Sequence, residues 1–163
     1  MWKDNLQHGK GQEIWPDGSI FNGLFKKGKK EGPGLFQWAN ECQYDGMWSD
    51  NKMHGKGIFM WFDGRYYNGT WVGNLMHGNG VYIWPDGRSY EGGYAFGKKD
   101  GMGTYLMGDR NIYKGLWKEG LQHGEGVLTQ PDGNIIKGIW EHGVLTKQID
   151  EKSQANDQLE EEK

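Results

Sequence analysis

Apolar and polar positions alternate in short bursts along this chain. Tyr44, Gly46 and Trp48 interleave with Asp45, Met47 and Ser49. A period of two marks a β-strand with one apolar face. Gly57-Ile58-Phe59-Met60-Trp61 reads as a second strand. The intervening Asp50-Asn51-Lys52-Met53-His54-Gly55 reads as a loop rich in turn formers. Asp63-Gly64 then supplies a tight turn, because both residues tolerate positive φ. The segment is a β-hairpin.

The hairpin recurs. Gly23, Gly46, Gly69, Gly92, Gly115 and Gly138 are spaced by 23 residues without a slip. Two further glycine series, from Gly9 to Gly124 and from Gly11 to Gly126, keep the same period of 23. Phe21, Tyr44, Tyr67, Tyr90 and Tyr113 stand two residues before the first series, and Phe25, Trp48, Trp71, Tyr94, Trp117 and Trp140 two residues after it. Asp-Gly closes most units, with Asn40-Glu41 and Asp109-Arg110 in its place in two of them. A fixed period of this length is the signature of a repeat architecture.

The predicted fold is all-β: an elongated, single-layer antiparallel meander of repeated β-hairpins. A half repeat spans 1–20, full repeats span 21–43, 44–66, 67–89, 90–112 and 113–135, and a half repeat spans 136–146. The tail, 147–163, is polar and acidic and is expected to be a short helix or disordered. Glycine normally weakens a strand. Here each strand glycine is flanked by rings on its own face, which predicts that a ring lies flat across the bare backbone. Each unit then buries its rings against its neighbours, and stability is a nearest-neighbour sum. Two strands per unit advance the array about 10 Å, so six units give a rod of about 60 Å.

Composition narrows the function classes. Glycine occurs 29 times among 163 residues, but aromatics reach 14%, which disordered low-complexity chains lack. The net charge of −3 lies wholly in the tail; residues 1–146 carry sixteen basic and sixteen acidic side chains. No global field therefore attracts nucleic acid. A single cysteine, Cys42, excludes an internal disulfide framework, and no apolar run is long enough for a membrane-spanning helix. The chain reads as soluble and intracellular.

Candidate chemistry dissolves into the repeat. His8, His54, His77 and His123 are in phase. Unit spacing puts neighbouring ones about 10 Å apart, too far to share a zinc ion, and they read as turn residues bonded to backbone. The Gly-x-Gly pairs lack the P-loop string, and Asp63 and Asp86 are periodic turn residues. No catalytic residue, metal site or cofactor is predicted, and the chain is not expected to be an enzyme. Two features stand out as binding candidates. Tyr44, Trp48, Tyr67, Trp71, Tyr90, Tyr94, Tyr113 and Trp117 repeat on one face. Because a one-layer sheet cannot hide both faces, they are expected to form an exposed strip that binds an amphipathic partner helix or the subunits of a larger assembly. Lys26, Lys27, Lys29 and Lys30, with Lys98 and Lys99, crowd two loops of one edge and are the candidates for an anionic membrane surface. The terminal strands are potential open edges for self-association.

The units resemble the MORN repeat (membrane occupation and recognition nexus). Tyr44-Asp45-Gly46-Met47-Trp48, His54-Gly55-Lys56-Gly57 and Asp63-Gly64 match that pattern position by position, and the resemblance covers about residues 1–146. It implies fold strongly and function loosely. Family members include cytoskeletal scaffolds, radial-spoke head proteins of cilia, junctophilins, and some phosphatidylinositol phosphate kinases and histone lysine methyltransferases. In the enzymes a separate domain does the chemistry, and this sequence is expected to hold none. The resemblance implies a non-catalytic scaffold or adaptor of a cytoskeletal or ciliary assembly such as a radial spoke, placed in the cytoplasm, cytoskeleton or cilium. A peripheral membrane module using the lysine loops is the alternative.

Overall fold

The computed structural model describes residues 2–3 and 6–149; the tail expected to be helical or disordered lies, from residue 150 onward, outside the described residues. Among the described residues fifteen strands follow one another: β1 (Trp2–Lys3), β2 (Leu6–Gln7), β3 (Gly9–Ile14), β4 (Ile20–Lys26), β5 (Lys29–Gln37), β6 (Gln43–Ser49), β7 (Lys52–Met60), β8 (Tyr66–Val72), β9 (Leu75–Ile83), β10 (Ser89–Ala95), β11 (Lys98–Leu106), β12 (Ile112–Lys118), β13 (Leu121–Thr129), β14 (Ile135–Glu141) and β15 (Val144–Gln148). Strands β3 to β15 form one open antiparallel sheet of 13 strands in strict chain order, and β1 and β2 pair as a separate ribbon. The described residues contain no helix, and the meander is as the sequence predicts. The last strand runs through Gln148, past the repeat boundary expected at 146.

The two edges of the sheet use different turns. On one edge the hairpins close with two residues, both at positive φ: Asp50 (50°) and Asn51 (66°), Gly73 (57°) and Asn74 (72°), Phe96 (48°) and Gly97 (86°). This is the turn whose twist matches the flanking strands. The six-residue loop expected from Asp50 to Gly55 is therefore only Asp50-Asn51, and Lys52 to Gly55 already belong to β7. His54, His77 and His123 sit in strands, not turns; the Nδ1 of His77 accepts the Phe96 N–H at 3.4 Å. Successive turns are tied together, since Asn51 N–H donates to the Lys30 carbonyl, Asn74 N–H to Met53, and Gly97 N–H to Met76. On the other edge, Asp63 Oδ1 accepts the Arg65 N–H at 3.2 Å, and Gly64 stands at φ 85°. Glu41 (66°) and Arg110 (65°) take that left-handed place in the two units without glycine.

A column of glycines crosses the sheet. Gly23 pairs with Gly34, Gly34 with Gly46, Gly46 with Gly57, Gly57 with Gly69 and Gly69 with Gly80, and the register continues to Gly126 opposite Gly138. The rings explain it. A Cβ on Gly69 would meet the Tyr67 ring at 2.5 Å and the Cα of Gly80 at 2.7 Å. Each tyrosine ring thus lies over a glycine pair, and its hydroxyl donates to the carbonyl three residues ahead: Tyr44 to Met47 (3.0 Å), Tyr67 to Thr70 (3.1 Å), Tyr90 to Gly93 (3.0 Å) and Tyr113 to Leu116 (3.1 Å). A buried hydroxyl without such a partner would be costly.

Two substitutions test this account by thermal and urea unfolding. Gly69→Ala forces a methyl into the Tyr67 ring and should lower stability by about 1–3 kcal/mol. Arg110→Gly relieves a left-handed backbone on a bulky residue and should raise it by about 1 kcal/mol.

Candidate functional site

The site follows from how the rings divide between odd and even strands. Tyr44 pairs with Phe36 and Phe59, Tyr67 with Phe59 and Tyr82, and Tyr90 with Tyr82 and Tyr105, so one row of rings crosses the sheet. Even-strand rings fold down over the glycines. The eight residues expected as an exposed strip, Tyr44, Trp48, Tyr67, Trp71, Tyr90, Tyr94, Tyr113 and Trp117, are between 0% and 6% exposed. They are the core of the sheet, not its surface. The three tryptophans among them bond within the chain as well: the indole N–H of Trp48 donates to Gly34 O (2.9 Å), that of Trp71 to Gly57 O (3.1 Å) and that of Trp117 to Gly103 O (3.3 Å). Tyrosine and tryptophan meet edge to face at 5.2 Å (Tyr44 and Trp48) and 5.1 Å (Tyr67 and Trp71). Burial pushes the Tyr67 phenol up to about 12 and raises Tyr44 and Tyr90 as well.

Odd-strand rings lie against tryptophans of the adjoining turns; Phe36, Phe59 and Tyr105 remain half-buried, and Tyr82 is buried. Trp15, Phe36, Trp38, Phe59, Trp61, Tyr82, Trp84 and Tyr105 form a continuous ladder with successive centroids 5.0, 4.4, 5.3, 4.4, 5.3, 4.4 and 5.9 Å apart. Met107 and Leu128 continue the row without rings. This ladder is the aromatic surface of the molecule. Its signal was present in the sequence, since Trp15, Trp38, Trp61 and Trp84 also keep the 23-residue step. Among the described residues the opposite face carries no such ladder; it holds shallow depressions, one of about 550 Å³ lined by aliphatic chains such as Leu116, Val127 and Ile149.

The six lysines do not form one cationic patch. Lys29 is paired with Asp50 across neighbouring turns, and Lys26, Lys27 and Lys98 are exposed. Lys30 and Lys99 turn inward onto rings. The Lys99 ammonium stands 3.9 Å from the Tyr105 centroid, 4.5 Å from Trp117, 4.8 Å from Tyr90 and 5.4 Å from Trp84. That of Lys30 stands 4.7 Å from Trp15 and 5.3 Å from both Phe21 and Phe36. Arg65 and Arg88 lie 5.3 Å over Trp61 and Trp84, each held by its own turn aspartate at 2.7 Å. The ring face is therefore aromatic and cationic together. The described residues bring no three metal-ligating side chains together.

Burial, with repulsion from Arg88 second, lowers the Lys99 ammonium from 10.5 to about 8. Between those values the unfolded chain still holds the proton that the folded chain has released. Stability therefore rises with pH through that window, and at pH 7 charged Lys99 costs the fold free energy. Met53 and Met76 occupy the equivalent place in two sister units, so Lys99→Met should fit. It should raise the melting temperature at pH 7 by about 2–4 °C, with the gain shrinking as pH approaches 9.5. Melting curves of both proteins across that range check it.

Comparison with known proteins agrees with this architecture. The family model for the MORN repeat matches residues 1–20, 21–43, 44–64, 67–87, 90–112 and 113–135. No curated protein sequence matches significantly. Among solved structures, the fold is similar to the TCP domain of SAS-4 from Drosophila melanogaster, solved in complex with a proline-rich motif of Ana2. The TM-score is 0.51 at 10% identity, over 80% of this chain and 73% of that one. It is also similar to the G-box domain of the microcephaly protein CPAP, with TM-score 0.51 at 13% identity, over 80% of this chain and 70% of that one. At such identities the likeness is one of fold. Six matched repeats, and a hairpin meander built on the glycine and ring positions those repeats define, place the chain in the MORN-repeat family.

Proposed function

We propose that this chain is a non-catalytic scaffold that holds a partner protein along its ring ladder, within a cytoskeletal assembly. The observation that carries the reading is the ladder from Trp15 to Tyr105, half-buried at every ring but the buried Tyr82. Tryptophan and tyrosine dominate binding hot spots, and a rigid ladder lets a partner bury area at little ordering cost. The structural neighbours support the reading at the level of class: one was solved holding a motif of another protein, and the other is described with a role in centriole elongation. The chemistry of the face supports it too, since the polar ends of Tyr44, Tyr67, Tyr90, Tyr113, Trp48, Trp71 and Trp117 are engaged in holding the sheet.

Affinity capture by the full chain, read by quantitative mass spectrometry, tests the proposal. Trp61→Ala with Trp84→Ala should reduce specific partners at least about tenfold. Met60→Ala with Ile83→Ala, on the opposite face, should leave them in place. Equal capture by both variants would refute the ring-face reading.

A further inference from the structure

The ring ladder is not uniform, and its departures come in pairs. Three full units place tryptophan at the second ring position: Trp48, Trp71 and Trp117. The residues facing the bulge of those strands are Met53, Met76 and Gln122. The other two units carry a smaller ring, Phe25 or Tyr94, and there the cross-strand partner is lysine, Lys30 or Lys99. Ring size and lysine change together. In both units the ammonium is surrounded by four rings, two from its own unit and one from each flanking unit: Trp15, Phe21, Phe36 and Trp48 around Lys30, and Trp84, Tyr90, Tyr105 and Trp117 around Lys99.

Neither ammonium has a salt-bridge partner among the described residues. Glu13 acts on Lys30 only at a distance, and the charge acting on Lys99 is the like-charged Arg88. A partly buried cation without a counter-ion is a cost that a bound anion would remove. Methionine fills the same slot in two sister units, so the fold does not need the charge. Residues that break a local rule in this way belong to function more often than to stability.

Spacing adds the second half of the argument. Lys30 lies on β5 and Lys99 on β11, six strand steps apart, or about 29 Å along the array. Trp38, Trp61 and Trp84 recur once per unit between them, about every 9.6 Å. A polyproline-type helix repeats every three residues, about 9.3 Å, so every third side chain of such a segment would meet one tryptophan. An α-helix, with a pitch of about 5.4 Å, has no matching repeat on the ladder.

We infer that the ring face takes an extended, polyproline-type peptide segment bearing two acidic side chains about nine residues apart, one carboxylate at Lys30 and the other at Lys99. This rests on the partner-binding reading above and adds the conformation and charge of the ligand. The charged ends fix the register, and the tryptophans between them grip the apolar turns.

Fluorescence anisotropy with labelled synthetic peptides and the full chain tests it. The first probe is a proline-rich peptide with two glutamates nine residues apart. The second carries glutamine at both places, and the third sets the glutamates five apart. The first should bind at least about tenfold more tightly than either control, the gain expected from one well-placed charge pair. Lys99→Met and Lys30→Met should each abolish the advantage over the five-apart probe and cut the advantage over the glutamine probe about tenfold, while leaving the glutamine peptide unchanged. Equal binding of all three probes, or an undiminished advantage in Lys99→Met, overturns the inference. If no probe binds while partner capture still depends on Trp61 and Trp84, the ligand chemistry is wrong and the scaffold reading stands. If capture is indifferent to those tryptophans, the scaffold reading fails, and the inference with it.

Discussion

The structure depends on one contact: an aromatic ring lying flat on a pair of glycines in adjacent strands. Tyr67 over Gly69 and Gly80 shows its requirements. No side chain fits beneath the ring, so glycine must face glycine across every strand pair, from β3 to β14. The hydroxyl must then find a backbone carbonyl, and it does so three residues ahead. Together these fix the register of the sheet, because a slip of one residue would set a Cβ against each ring. A single layer of strands thereby acquires a dry interior without a second sheet or a helix to cover it.

That contact also decides which surface is left over. Even-strand rings are consumed in covering the backbone, and odd-strand rings are pushed up against the turn tryptophans, where Phe36, Phe59 and Tyr105 stay partly open. The half-buried ladder is thus a by-product of the core rather than an addition to it. Lys30 and Lys99 enter where the core ring is smaller, at Phe25 and Tyr94, so the surface charge is written in the packing of the layer below.

Much of this was legible in the sequence. Three glycine series in phase fix the strands, the antiparallel order and the ring-over-glycine contact. The candidate site was not legible in the same way. Two ring series share one period, and sequence alone does not say which of them lies down: Tyr44 and Phe59 are cross-strand partners on one face, yet Tyr44 is fully buried and Phe59 is not. Turn length was misjudged between Asp50 and Gly55, because turn-forming residues also suit a strand broken by a bulge, where Gly55 stands at φ 66°. The lysine loops misled for a related reason. A run of like charges reads as solvated, but alternation along β5 turns Lys30 onto the rings while Lys29 meets Asp50.

Strict sequential pairing, from β3 through β15, has a consequence for how the molecule comes into being. No strand waits for a partner made much later, so closing each contact costs the entropy of a short loop only. A ribosome would release a finished hairpin every couple of dozen residues, and each would find its predecessor's edge already waiting. Growth of the array is then a templated, one-directional zippering that keeps pace with translation, with one growing margin open at any moment beside the outer edge of β3.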